Sequence, residues 1–264
     1  MNHSECSIPV TVRRIPDFWQ RVRAAPHRLL GLDYDGTLAP FHRDRMKARP
    51  LPGILSILQS IRDSGTTSLF IVSGRPVSET LQLLGDLRIY IVGAHGYEQR
   101  DPDGQFRAFA PSQMQQEGLK MAKRQATELG NEPYVEVKTG SVALHSRGVV
   151  NPIESYEEVR RAWQHIGQEH NLILKEFDGG IELRAFDRNK GTALQEILWK
   201  MPSGTLPVYV GDDETDEDAF QVVRPIGIGI KVGGEGSKTS AMGFLEDCDE
   251  VARFLSCWQT IMGS

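Results

Sequence analysis

The chain has 264 residues, of which 39% are hydrophobic and 25% charged, and its formal net charge is −5 at pH 7. That composition is ordinary for a globular chain, and the negative balance excludes a general attraction to nucleic acid or to an anionic membrane. Cys6, Cys248 and Cys257 are too few and too scattered for a disulfide framework or a zinc site, the opening "MNHSECSIPVTVRR" has no uninterrupted apolar core, and no apolar run approaches the ~20 residues of a membrane span, so a cytoplasmic, reducing location is expected.

In chain order, "LLGLDY" (29–34) reads as a strand buried on both faces. "LPGILSILQSIRDSG" places Ile54, Leu55, Leu58 and Ile61 at helical spacing, with Gly65 as a stop. "SLFIVSGR" is a second buried strand, "PVSETLQLLG" a helix with Pro76 at its first turn, and "IYIVGAHG" a third strand. This alternation predicts a parallel sheet with right-handed crossovers. The pattern then changes. Residues 112–129 look helical, "YVEVKTGSVALHSR" alternates about a Thr-Gly turn, "IESYEEVRRAWQHIGQEH" is an amphipathic helix, and "LILKEFDGGIELRAF" is a hairpin turning at Asp178-Gly179-Gly180. After residue 188 the first style returns, with a helix in "NKGTALQEILWKM", strands in "LPVYVGDD" and "IGIGIKVG", and a closing helix in "DEVARFLSCW". The expected organisation is an α/β core formed by residues 1–110 and 187–264, interrupted by a lid-like α+β insertion at 111–186, with hinges near 108–112 and 185–189.

The chemistry lies at the strand exits. Asp33 and Asp35 follow the first strand, and ligands of open parallel sheets bind beyond the carboxyl ends of the strands; a simple Asp-Gly turn is the competing reading. Asp212, Asp213 and Asp216 leave another buried strand. If both strands share a sheet, the carboxylates converge, and such crowding calls for a hard divalent cation, for which Mg²⁺ is suited. A helix N-terminus that favours acidic residues explains Asp216 and Glu217 as well, but not Asp212 and Asp213. Ser73, Gly74 and Arg75 offer a hydroxyl and backbone amides to phosphate oxygens, or merely cap a helix. Lys190, just before a helix, could neutralise both a phosphate and a carboxylate, or be an ordinary solvated lysine.

The order Asp-x-Asp-Gly-Thr, Ser-Gly-Arg, Lys-Gly, Gly-Asp-Asp resembles the haloacid dehalogenase-like (HAD) phosphohydrolases over almost the whole chain. The segments "LDYDGTLAP", "SGR", "GAHG", "VEVKTGSVALHSR", "IELR…NKG" and "GDDETDEDAF", together with the tail, are similar to the trehalose-6-phosphate phosphatase family. Ala185 departs from that pattern, since many relatives carry proline there. The resemblance implies a Rossmann-like parallel-sheet HAD core with an inserted α+β cap, and hydrolysis of trehalose 6-phosphate through an aspartyl-phosphate. Asp33 is then the nucleophile and Asp35 the general acid and base. Mg²⁺ is held by Asp33, the Asp35 carbonyl and Asp212, with Asp213 and Asp216 orienting that set. Ser73, Gly74 and Lys190 hold the phosphoryl group. Glu136 and Lys138, two apart and so on one face, grip the sugar together with Glu182 from the other hairpin; solvated charges on a half-exposed sheet are the plainer reading. His145 and Arg147 share a face as well, with a less defined role, and His95 and Glu98 are expected to pack near a core strand end. The implied partner is a small sugar phosphate, with a functional link to a trehalose-6-phosphate synthase and none to nucleic acid or membrane. A phosphatase of glucosylglycerol, mannosylglycerate or sucrose phosphate, and a catalytically silent regulatory module, remain as alternatives.

Overall fold

A computed structural model describes residues 10–85, 87–146, 156–177, 179–234 and 238–263. The chain divides into two compact units, one formed by Met1–Phe106 and Asn189–Ser264, the other by Arg107–Arg188. Arg147 and Asp178 of the sequence reading, and the first three residues of the segment expected to form the second insertion helix, lie outside the described residues.

The first unit begins with α1 (Phe18–Ala24), β1 (His27–Asp33), α2 (Ile54–Asp63), β2 (Thr67–Val72), α3 (Val77–Leu84), β3 (Tyr90–Gly93) and β4 (Glu98–Arg100), and β5 (Phe106–Ala108) spans the boundary between the units. The second unit carries α4 (Gln113–Glu128), β6 (Val135–Lys138), β7 (Ser141–His145), α5 (Tyr156–His170), β8 (Ile173–Phe177) and β9 (Gly180–Arg184). The first unit then resumes with α6 (Lys190–Leu198), β10 (Thr205–Gly211), α7 (Glu217–Val223), β11 (Ile228–Val232), β12 (Gly243–Leu245) and α8 (Cys248–Gly263).

The main sheet runs in the order β12-β11-β10-β1-β2-β3-β4-β5. Pairing is parallel from β12 to β3, and β4 turns back antiparallel on β3. The chain moves from β1 outward to β3 on one side and from β10 outward to β12 on the other. The β1/β10 seam is therefore the point where strand order reverses, which is where open α/β sheets place ligands. Both faces are covered, and this is why the strands read as continuous apolar runs. Leu30 and Leu32 pack with Ile54, Leu58 and Ile61 of α2 and with Phe254 and Trp258 of α8. On the other face Leu29, Phe70 and Tyr209 pack with Leu194 and Ile197 of α6 and Phe220 of α7. Gly31, in mid-strand, is required by this crossing: a Cβ there would stand 2.1 Å from Phe70 Cζ and 2.8 Å from Tyr209 Cδ2.

In the second unit β6-β7-β9-β8 form an antiparallel sheet. Val142, Leu144, Ile181 and Leu183 are buried in strands whose alternate residues are polar or small, and Trp163 of α5 is fully buried and donates from Nε1 to the Ala122 carbonyl of α4 at 3.1 Å. Ser112 caps α4 in a reciprocal capping box with Gln115, close to the start that the sequence predicts.

Cysteine behaves differently from expectation. Cys257 is buried and disulfide-bonded, whereas Cys248 is a free thiol. Counting cysteines therefore gives no argument for a reducing compartment. No helix among the described residues is long and apolar enough to cross a membrane.

Candidate active site

Asp33 is the last residue of β1 and is 4% exposed. The turn after it is built to be tight. The Tyr34 carbonyl accepts from the Leu38 and Ala39 amides at 2.9 and 3.0 Å, and Gly36 N–H donates to the Ala39 carbonyl at 2.8 Å. Gly36 has a φ of +77°, and a Cβ there would lie 2.1 Å from Asp212 Oδ2. Glycine at this position thus serves both the left-handed turn and the close approach of β10's exit loop. Tyr34 is fully buried beneath the turn, with its hydroxyl donating to the Ala48 carbonyl at 2.8 Å.

Lys190 opens α6, whose start is set by Asn189 and Thr192 in a reciprocal capping box. Its ammonium is buried and donates to Asp33 Oδ1 and Asp216 Oδ1, both at 2.8 Å, with Asp213 Oδ1 3.8 Å away. Asp216 is the hub of this cluster. Beyond Lys190, it accepts the Tyr209 hydroxyl at 2.5 Å and the amides of Asp212 and Asp213, each at 3.0 Å. Gly211 allows this, since a Cβ there would meet the Asp216 carboxyl carbon at 2.3 Å.

The charge is unbalanced. Burial raises the Asp33 carboxyl well above its usual value; Lys190 opposes this, but Asp216, Asp212 and Asp213 add to it. Asp212 is raised to about 7 by burial and by Asp213 and Asp216. Burial also raises Asp216. Burial alone would lower Lys190, but Asp216, Asp33 and Asp213 outweigh it and keep the ammonium charged. Asp33, Asp212 and Asp216 each present an oxygen within 4.8 Å of the others. An all-oxygen donor set short of positive charge fits a hard divalent cation. Asp216 already accepts four protein donors, so Asp33 and Asp212 are the pair best able to bind one.

Asp35 is placed differently from its neighbour. Both of its oxygens are taken by the Arg75 fork, Nε to Oδ2 and Nη2 to Oδ1, each at 2.7 Å. The Arg75 guanidinium is itself buried and lies 5.5 Å from the Tyr34 ring centroid. Ser73 follows β2 and is buried, and its Oγ accepts the Arg75 amide at 3.1 Å. The hydroxyl thus caps its own turn yet keeps its proton for donation. Gly74 lies beneath His95, whose Cε1 would be 2.6 Å from a Cβ there. Ala94 and His95 both hold positive φ, +47° and +54°, an arrangement costly for residues other than glycine. Gly96 follows against the Asn189 backbone, its missing Cβ 2.7 Å from the Asn189 carbonyl oxygen. This strained turn joins the Ser73-Gly74 loop to the start of α6.

The second unit carries its own polar face. Glu136 pairs across to Ala143, Ala143 to Glu182, and Lys138 to Ser141, so these side chains share one side of the sheet. Lys138 Nζ donates to Glu182 Oε1 at 3.2 Å and lies 3.7 Å from Glu136 Oε2. Ser141 Oγ donates to Glu182 at 2.7 Å, and the His145 ring shares a hydrogen bond with Glu136 at 2.8 Å. This is an organised network rather than a row of solvated charges.

A family model described as trehalose-phosphatase matches residues 31–248. The chain belongs to the trehalose-phosphatase family. It is 32% identical over 240 residues to the trehalose-phosphate phosphatase of Mycobacterium marinum, covering 87% of this chain and 60% of that protein. It is 34% identical over 236 residues to the enzyme of the same name from Mycobacterium bovis, covering 84% and 59%. The chain thus spans about 60% of the length of these curated relatives. The C-terminal domain of C. albicans trehalose-6-phosphate phosphatase shares the fold, with a TM-score of 0.77 at 21% identity, covering 96% of this chain and 99% of that one. The HAD-type α/β fold is shared as well with a HAD-superfamily phosphatase from Bacteroides thetaiotaomicron, at a TM-score of 0.60.

Within this trehalose-phosphatase fold, Asp33, Asp212, Asp213, Asp216 and Lys190 are brought together, and Asp35 stands apart on Arg75. Glu98 accepts the Val77 amide at 2.8 Å and so supports the start of α3, whereas His95 overlies Gly74. Tyr209 was not singled out from the sequence. Its one visible signal is a hydroxyl in an otherwise aliphatic strand, "LPVYVG". The Arg75–Asp35 fork was missed too, because a pairing across 40 residues leaves no local trace.

Proposed function

We propose that this chain hydrolyses trehalose 6-phosphate to trehalose and phosphate, with Asp33 as nucleophile. The observation that carries this reading is Lys190, buried and bridging Asp33 and Asp216 at the strand-order reversal of a trehalose-phosphatase fold. A carboxylate oxygen of Asp33 attacks phosphorus as the bond to the sugar oxygen breaks, giving an aspartyl-phosphate. Asp35 donates a proton to the departing oxygen. It then takes one from the water that attacks the phosphoryl group, which releases phosphate and restores Asp33. Both Asp35 oxygens rest on Arg75, so at least one must leave the fork for this proton transfer. Lys190 and the hydroxyl proton of Ser73 receive the phosphoryl oxygens. The backbone at Gly74 shapes the loop that holds them.

Mg²⁺ would be held by the Asp33 and Asp212 carboxylates and the Asp35 carbonyl, and when bound it supplies the positive charge that keeps both carboxylates ionised near the phosphate. Residues Arg107–Arg188, close to the 111–186 read from sequence, would act as the cap, with Glu136, Lys138 and Glu182 binding sugar hydroxyls. A trehalose-6-phosphate synthase would supply the substrate, and the cytoplasm would be the natural site for both.

The test is phosphate release from a panel containing trehalose 6-phosphate, sucrose 6-phosphate, glucosylglycerol phosphate, mannosylglycerate phosphate and p-nitrophenyl phosphate, each with Mg²⁺ and with EDTA. Preference for trehalose 6-phosphate, abolished by EDTA and by Asp33→Asn, is expected. Full turnover in EDTA, or by Asp33→Asn, would refute the mechanism. Strong preference for another member would refute the substrate, and no turnover of any member would return the silent module.

A further inference from the structure

We propose that Phe177, with His145 beside it, forms an aromatic wall that stacks against a pyranose ring on the polar face of the second sheet. The proposal rests on the reading of that face as the sugar-binding surface. Three rows of side chains cross it. Phe177, Gly180 and His145 form the first, Lys175, Glu182, Ala143 and Glu136 the second, and Ile173, Arg184, Ser141 and Lys138 the third.

The floor is made of small residues. Gly180 and Ala143 sit at its middle with Ser141 behind them, while Glu136, Glu182 and Lys138 stand around them. Gly180 is required by the close approach of the β7 backbone and of the Phe177 ring. A Cβ there would fall 2.1 Å from the Leu144 carbonyl oxygen and 2.7 Å from Phe177 Cζ. The Phe177 ring therefore reaches across the glycine. Covering an otherwise bare glycine is one use of such a ring, and it occupies only part of the ring's surface. Phe177 remains 40% exposed on the face that also carries Glu136, Glu182, Lys138 and Ser141. Its centroid is 5.5 Å from that of His145, with the planes at 67°, and His145 is in turn hydrogen-bonded to Glu136.

An exposed aromatic ring next to fixed carboxylates and an ammonium matches one chemistry well. A pyranose ring presents an apolar C–H face and a rim of hydroxyls, and so needs both an aromatic surface and paired hydrogen-bonding groups. A bare phosphate needs neither. The wall should therefore select for the sugar and leave phosphoryl transfer untouched.

Three variants separate the stacking role from the covering role. Phe177→Leu keeps an apolar side chain over Gly180 but removes the flat ring, Phe177→Ala removes both, and Phe177→Tyr keeps the ring. Loss of the ring should raise KM for trehalose 6-phosphate, and the calorimetric Kd for trehalose, by about tenfold in both Phe177→Leu and Phe177→Ala. Phe177→Tyr should stay within about twofold of the parent protein. Turnover of p-nitrophenyl phosphate should be unchanged in all three. An unaltered KM and Kd in Phe177→Leu, or equal losses on both substrates, would overturn the wall. If the parent protein prefers another sugar phosphate, the substrate reading above fails while the wall is tested on that sugar. If it binds no sugar at all, both fall.

Discussion

At the scale of single residues, Asp33 and Asp35 show how two similar side chains two positions apart acquire different surroundings. Asp33 is buried against Lys190 in a crowd of carboxylates, and Asp35 is held by a fork from Arg75. If Arg75 aligns Asp35 for proton transfer, its loss should matter most where the leaving group needs a proton. Arg75→Ala is expected to lower kcat/KM for trehalose 6-phosphate by about 10²-fold, the lower end of general acid–base contributions. The value for p-nitrophenyl phosphate, whose leaving group departs readily as an anion, should change by less than about a third of that factor on a logarithmic scale. Parallel losses on both substrates would place Arg75 at the phosphate instead. Tyr209 poses a simpler question. Tyr209→Phe leaves Asp216 with Lys190 and two amides but removes one of its four donors. A loss of about 1 kcal/mol in aiming Lys190 corresponds to roughly a fivefold fall in kcat with KM little changed, measurable by steady-state kinetics.

These residues also mark where sequence reading succeeds. Asp33 and Asp212 stand out because a carboxylate ending a buried apolar run is conspicuous, and Lys190 because it sits at a helix start beside glycine. Tyr209 does not stand out, and Arg75 is visible only as part of the Ser-Gly-Arg turn, since the meaning of both lies in partners that only the folded chain brings within reach.

At the scale of elements, the first three strands and their helices were legible because each carries an apolar period and a clear stop. The sequence left α1, α7, β4, β5 and β12 unassigned; all are short, with three to seven residues each, and β5 is exposed throughout, so apolar patterning had little room to register. The placement of β10 beside β1, the joint on which the site depends, could be conjectured but not read. That joint makes a specific demand on Gly31. Gly31→Ala would press a methyl into the rings of Phe70 and Tyr209, which are packed on both sides and have nowhere to retreat. Overpacking of a core typically costs about 1–3 kcal/mol, so the melting temperature should fall by ~2–10 °C. Tyr209 is one of the displaced rings, so activity in the surviving folded fraction should fall too. A variant with unchanged melting temperature and activity would mean that the rings yield freely.

At the scale of the whole molecule, the decisive quantity is the charge held at the β1/β10 seam in a chain that is already acidic. Asp33, Asp212 and Asp216 are all raised in the folded chain, Asp212 to about 7. In the unfolded chain such groups ionise near 4. The folded state therefore holds protons between about pH 4 and 7 that the unfolded state has released, and linkage sets the sign. The stability that Asp212 contributes is full below about pH 4 and is lost as pH rises through about 7, and Asp33 and Asp216 act in the same direction. Lys190 is raised as well, but its contribution is lost only at strongly alkaline pH and lies outside this window. In EDTA the melting temperature should thus be lower at about pH 8 than at about pH 5.5, by ~5 °C or more for a chain of this size. A divalent cation competes with the protons for the same oxygens. Mg²⁺ should therefore raise the melting temperature more at the higher pH and flatten the curve, whether or not any substrate is turned over. Calorimetric melts over that range, with EDTA and with Mg²⁺, decide the matter. Identical pH curves in the two conditions would mean that the carboxylates at the seam bind no cation, and Asp212→Asn should flatten the EDTA curve by removing the group with the clearest shift.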